Sequence, residues 1–309
     1  MKKLLTFLQK TGWVTAVVVL SLMISCGGVR KNKNKSDKKI DREIIPQIMI
    51  GKLPREVRET SGLLWLDNLI WTMNDSGGEN ILYGLDPKSG AVIRKVRIDH
   101  AENYDWETLS MNRVYVFIGD VGNNFGNRKD LRIYRLPKKE LSGHGKHATA
   151  EVISFSWPDQ TSFMPGLRNT PFDCEAMICL GDSLMLFTKD WANENTKAYM
   201  LLAQPGFQKA VLVDSLQAGV LVTGADLSPD GKTLILSAYH DFNPYLWVFT
   251  GFQGHDFFNG NKIRFSYPSY HDAQTEGVVF KGAHTILISA EESRKLDTRI
   301  YLFRLSQLE

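Results

Sequence analysis

Five segments of this chain align without gaps at intervals near fifty residues, and a repeat of that length limits the fold more than any other feature of the sequence. They are Glu59-Thr60-Ser61-Gly62-Leu63, Asp105-Trp106-Glu107-Thr108-Leu109, Asp173-Cys174-Glu175-Ala176-Met177, Val222-Thr223-Gly224-Ala225-Asp226 and Gln274-Thr275-Glu276-Gly277-Val278. The middle residues, Ser61, Glu107, Glu175, Gly224 and Glu276, are each followed by a small one: Gly62, Thr108, Ala176, Ala225 and Gly277. Small residues at one place in every repeat suit strands that crowd around a common axis, where backbones approach closely.

A second apolar run follows each segment, at 69–73, 114–118, 184–188, 233–238 and 285–290. Third strands are expected at 81–85, 131–136, 198–203, 245–250 and 299–305, and fourth strands at 91–98, 151–157, 210–216 and 262–267. Turn signals such as Asp86-Pro87-Lys88-Ser89-Gly90 and Ser228-Pro229-Asp230-Gly231 separate them. Short strands in sets of four per repeat read as the blades of an all-β propeller. The last unit runs out of chain after its third strand. Residues 44–53, apolar and otherwise unpartnered, are expected to supply its outer strand and close the ring, and Pro46 is tolerated on such an edge. Five four-stranded blades result. A sixth would have to lie between Glu107 and Glu175, 68 residues apart against 46 to 52 elsewhere, where 141–148 and 159–171 read as loops. A β-sandwich with accidental spacing is the other alternative.

Before the repeats come Lys2, Lys3 and an apolar run over 13–24, long enough for a signal sequence and short for a membrane span. Leu20-Ser21-Leu22-Met23-Ile24-Ser25-Cys26 resembles the bacterial lipoprotein signal, in which the Cys is acylated and becomes the mature N-terminus. The resemblance implies a signal peptide over 1–25, a lipid on Cys26, and a protein held on a bilayer at the cell envelope. Residues 26–43 are basic and poor in apolar side chains, as in a solvated tether. That tail explains the net charge of +3: beyond Glu43, 27 Lys and Arg face 31 Asp and Glu. The body is acidic, so nucleic-acid binding is not expected. A monomer is expected. With Cys26 acylated, Cys174 and Cys179 remain, about 16 Å apart on one extended strand, beyond disulfide reach. Both are expected to be buried free thiols.

In an antiparallel blade the start of the inner strand, the end of the second strand and the incoming loop share one face. Glu107, Glu175 and Glu276 should therefore meet at one mouth of the central channel, with Ser61 and Gly224 completing the ring. Asp75, Asp120, Asp190, His240 and Glu291 fall 13 to 16 residues later in their repeats and should form an outer ring. Converging carboxylates repel one another and call for a cation. Calcium accepts many oxygen ligands in forgiving geometry, which makes Glu107, Glu175, Glu276 and Ser61 its expected ligands. Zinc is disfavoured, because the seven His form no close pair at ligand spacing on an expected strand or helix. The alternative is a sealed tunnel in which each Glu bonds backbone N–H groups, Lys189 or Arg168. Asn74 and Asn123 lie in Gly- and Asn-rich loops, 73–78 and 119–124, able to turn backbone N–H groups toward an anion. The long insertion 159–172 carries Arg168 to the same mouth, and His240 beside Asp241 offers a proton-transfer pair.

Trp71-Thr72-Met73-Asn74-Asp75-Ser76-Gly77, Asp105-Trp106-Glu107, Ile118-Gly119-Asp120-Val121-Gly122-Asn123-Asn124 and Arg132-Ile133-Tyr134-Arg135 resemble exported bacterial propeller proteins related to phytase-like and esterase-like calcium propellers. The resemblance extends through Asp173-Cys174-Glu175-Ala176 and Gln274-Thr275-Glu276-Gly277. It implies a propeller with a central calcium. A cluster of Lys and Arg suited to clamping phosphate is missing from the rim, which argues against phytase chemistry. Two functions are then expected. One is a lipid-anchored propeller whose acidic mouth binds a small ligand and hydrolyses an ester or phosphoester, with Asp75, Asp120, Asp190 and His240 handling water and protons and Asn74, Asn123, Arg168 and Glu291 holding the ligand. The other is a noncatalytic scaffold presenting its rim loops to a protein or glycan.

Overall fold

Short runs with apolar side chains on both faces, broken by Gly, Pro, Asn and Asp turns, form antiparallel meanders that stack face to face around an axis. A computed structural model describes residues 40–308, and of Ile40 the backbone alone. The signal-like segment, Cys26 and the tether up to residue 39 lie outside the described residues. Ile40–Glu43, grouped with the tether by composition, is a strand.

Five blades surround the axis. From the inside outward, blade 1 is Thr60–Leu66, Leu69–Asn74, Ile81–Leu85 and Val92–Asp99, and blade 2 is Trp106–Met111, Tyr115–Asp120, Arg132–Pro137 and Glu151–Ser156. Blade 3 is Asp173–Leu180, Ser183–Lys189, Thr196–Leu202 and Val211–Leu216, and blade 4 is Leu221–Leu227, Thr233–His240, Asn243–Thr250 and Asn261–Ser266. Blade 5 is Thr275–Phe280, Thr285–Ala290 and Arg299–Arg304, completed by Gln47–Ile50 from the other end of the chain. The expected closure is therefore present. Among the described residues no helix is long and apolar enough to cross a membrane.

The core lies between blades. Trp71 and Trp106 pack between blades 1 and 2, Phe155 and Tyr199 between 2 and 3, Phe187 and Trp247 between 3 and 4, Tyr267 and Tyr301 between 4 and 5, and Ile300 and Ile70 between 5 and 1. Each such side chain contributes roughly 1.5–3 kcal/mol by leaving water, so no blade is stable without its neighbours.

Blades of four strands were the expectation, and three of them carry a fifth. His147–Thr149 lies parallel to the outer strand of blade 1, Gly206–Lys209 to that of blade 2, and Ile40–Glu43 to that of blade 4. Each is the stretch of chain leading into the outer strand of the following blade. It covers one blade's open edge before pairing in the next, which is how sheet edges are protected from foreign strands. Between blades 3 and 4 the same place is taken by a 3-10 turn, Phe257–Asn259, with Phe257 and Phe258 buried. Between blades 5 and 1 it is the tight turn at Asp86–Gly90, where Gly90 has φ +75° and a Cβ would come 2.7 Å from Ile50. Residues 141–148, expected as a loop, thus hold the end of a helical turn, Lys139–Ser142, and most of one of these straps. Cys174 is buried and free as expected, while Cys179, also free, is only half-buried.

Candidate functional site

Every inner strand bulges at the centre of its repeat. Pairing with the second strand skips between Thr60 and Leu63, Trp106 and Thr108, Cys174 and Ala176, Val222 and Gly224, and Thr275 and Val278. A bulged residue leaves the ladder and its side chain is re-aimed. Ser61, Glu107, Glu175 and Glu276, all at skipped positions, line one pocket. In blade 4 the skipped residue is Thr223, so the centre of that repeat lies one residue before the Gly224 chosen by the ungapped alignment. Gly224 is instead the small residue that follows. A Cβ on it would come 2.5 Å from the Glu276 carbonyl oxygen, one on Gly277 2.2 Å from that of Ser61, and one on Gly62 2.4 Å from the Leu109 nitrogen. Neighbouring inner strands touch through these glycines.

The pocket is a cavity of about 100 Å³ lined almost wholly by polar groups. Six carboxyl side chains face it, Glu59, Asp75, Glu107, Glu175, Glu276 and Glu291, with Lys189 and Arg168 as the cations. Of the expected site residues, Ser61, Asp75, Glu107, Arg168, Glu175, Glu276 and Glu291 are brought together. Asn74, Asp120, Asn123, Asp190 and His240 do not line the pocket, and local chemistry shows why. Asp120 Oδ1 accepts the Asp105 N–H at 3.1 Å and lies 3.0 Å from the buried Arg128 guanidinium. Asp190 Oδ1 accepts the Ala192 and Asn193 N–H groups and caps its own turn. His240 Nδ1 meets Glu194 at 2.8 Å. Asn74 Nδ2 donates to the Glu56 carbonyl, and Asn123 Oδ1 accepts the Arg128 N–H. The loop at 119–124 does turn an N–H toward an anion, but that anion is internal: Asn123 N–H donates to Asp173 Oδ1 at 2.6 Å.

Lys189 balances the hub. Its Nζ stands 2.6 and 2.7 Å from the two oxygens of Glu175, with both side chains about 95% buried. Burial alone would strip the ammonium of its proton, but Glu175, Tyr239, Glu276 and Asp173 hold it above the ordinary amine range. Burial also pulls Glu175 upward, toward about 8, yet the two-pronged contact marks an ion pair and we read the group as the carboxylate. Among the described residues Asp75, Glu107, Glu276 and Glu291 make no such ion pair. Burial, then Glu291, Glu59 and Asp105, push Asp75 up to about 7. Burial and Glu59 do the same to Glu291, against Lys189 and Arg168. Burial and Asp173 raise Asp105 to about 6. Glu107 and Glu276 are raised well above the carboxylate range by burial and by Glu175.

As placed, these side chains do not make a calcium cage. Glu175 is spent on Lys189, and the Ser61 hydroxyl donates to the Glu107 carbonyl at 2.7 Å. Among the described residues no group of three or more His, Cys, Asp or Glu side chains is placed to hold a metal ion. The arrangement is closer to the sealed-hub alternative with respect to Lys189, while Arg168 stays at the rim. Glu59, Asn124, Trp191, Tyr239 and Gln274 also line the pocket, and none of them was a candidate site residue from the sequence. Trp191 follows the repeat position Asp190 and Gln274 opens the fifth repeated segment, so the repeat itself was the signal that could have found them.

No protein-family model and no curated protein matches the chain. Among solved structures it is similar to the β-propeller domain of Cps50 (Swd1) from Myceliophteria thermophila, at 9% identity over 79% of this chain and 70% of that one, with a TM-score of 0.38. It is similar to hydrazine synthase from Kuenenia stuttgartiensis at 10% identity, 81% and 78% coverage and a TM-score of 0.38. A 6-phosphogluconolactonase-like protein from Bacteroides uniformis gives 11%, 76% and 68%, and 0.38. Likeness at this level transfers no substrate or partner.

Proposed function

We propose that this is a binding propeller of the cell envelope, anchored by an acyl chain on Cys26, whose acidic axial pocket takes a small ligand bearing a positive charge. One observation carries the reading: six carboxyls share a small polar cavity with two cations, and one of those, Lys189, is committed to Glu175. At neutral pH Asp75 and Glu291, both pushed up to about 7 chiefly by burial, stay partly protonated, and a cation entering beside them releases protons. Its affinity accordingly rises between pH 5 and pH 8. No hydrolytic step is assigned, because Asp120, Asp190 and His240 are engaged elsewhere in the fold.

Calorimetry of the full chain with calcium chloride and with small ammonium compounds, ethylamine and glycine among them, tests this. Saturable heat whose size depends on the ionisation enthalpy of the buffer, and which is lost in Glu276→Gln, is the expected result. Binding of calcium alone restores the metal reading, and no binding by any ammonium compound ends the organic-cation one. The anchor is checked by metabolic labelling with an alkyne fatty acid, abolished in Cys26→Ser. A second reading, the rim as a docking surface for a protein or glycan, is favoured by Phe125, Met164 and Leu167, exposed on the two loops at this mouth.

A further inference from the structure

Resting on that reading, we propose that the ligand is a small zwitterion, an amino acid with a short side chain, bound with its ammonium at Glu276 and Asp75 and its carboxylate at Arg168.

At the inner end, the carboxyls differ in what they already hold. Glu175 is taken by Lys189, Glu107 accepts from Ser61, and Glu291 accepts from Gln274. Glu276 is only 8% exposed, and its carboxyl makes no hydrogen bond or ion pair among the described residues. Asp75, whose field acts on Glu276, likewise makes no side-chain hydrogen bond among them. A buried carboxyl left without a donor is unfavourable, and an alkylammonium supplies three N–H groups together with the missing charge.

At the rim the chemistry reverses. The Arg168 main chain is fixed by its N–H to the Asn124 carbonyl at 2.8 Å, and its guanidinium lies 4.9 Å from the centre of the Trp191 ring. The indole is itself held by Nε1 donating to Asp173 at 2.7 Å. A guanidinium beside a ring stays on a fixed platform with its in-plane N–H groups available, and Arg168 spends none of its own on described residues. That fork matches a carboxylate. A simple amine would meet Arg168 as a like charge. A simple anion would meet the acids below it. The cavity has room for several waters, so the molecule joining its two ends has few heavy atoms.

The full chain is titrated calorimetrically with glycine, ethylamine and N-acetylglycine, in wild type and in Arg168→Gln. The proposal expects glycine to bind at least tenfold more tightly than ethylamine, N-acetylglycine not to bind, and Arg168→Gln to remove the preference for glycine at an unchanged melting temperature. Equal affinity of the wild type for glycine and ethylamine overturns the zwitterion while leaving the cation pocket intact. A preference that survives Arg168→Gln overturns the role of Arg168. Failure of both glycine and ethylamine to bind overturns both.

Discussion

Removing the ammonium of Lys189 while Glu175 stays in place strands a buried charge beside Asp173 and within reach of Glu276. Breaking one side of such a pair costs about 3–5 kcal/mol, whereas replacing both partners by apolar groups of similar volume is often nearly neutral. Lys189→Met should therefore lose stability on that scale in urea unfolding, and Lys189→Met with Glu175→Leu should recover most of it. Buried acids without an ion pair among the described residues, Asp226 under the Leu227 and Phe280 N–H groups included, set a pH dependence of the opposite kind to a surface salt bridge. Asp75 and Asp226 are raised to about 7 from 3.8, and Asp105 to about 6, in each case chiefly by burial. Between pH 4 and pH 7 the folded chain thus holds more protons than the unfolded one, so stability falls as pH rises through that window. Scanning calorimetry should show a melting temperature several degrees lower at pH 8 than at pH 5, and a shallower slope in Asp226→Asn. Of the acids at the hub, Glu107, Glu175 and Glu276 were legible because the repeat gives each the same place in its blade. Their counterion was less so: Lys189 precedes the repeat position Asp190, and only the pairing of Asp173 with Lys189 across the sheet turns it inward.

Strands and turns of the meander could be read from alternation and Gly-Pro punctuation, but the straps could not. His147–Thr149 and Gly206–Lys209 are three and four residues long and carry no apolar pattern. Their parallel pairing is created by the blade they cover. The bulges are hidden for a similar reason, since a skipped residue changes pairing and not composition, and this is why the ungapped alignment slipped by one residue in blade 4. What the sequence does advertise is the small residue beside each bulge. Gly277→Ala forces a methyl against the Ser61 carbonyl and the Leu63 nitrogen, backbone atoms with no side-chain torsion to relieve them. A loss of about 3 kcal/mol, the upper end for overpacking, is expected in denaturant unfolding.

Ring closure belongs to the whole molecule. Blade 5 takes its fourth strand from residues far from its other three, so the first and last parts of the described chain fold together. Deleting residues 40–50 leaves Arg299–Arg304 with an open edge and uncovers the outer strand of blade 4. Light scattering coupled to size exclusion should then show more self-association than the intact chain gives at the same concentration. Closure was readable, because a repeat short of one strand and a spare apolar stretch have one economical solution. The shape of the pocket was not, since it depends on how five bulges face one another.

The double engagement at Ile40–Glu43 and Gln47–Ile50 also has a mechanical side. Tension drawn along the chain into Ile40 first loads the rim of blade 4 and then, past a three-residue link, that of blade 5. A pull on this end must therefore undo two successive pairings, on adjacent sectors of the ring, before the chain comes free.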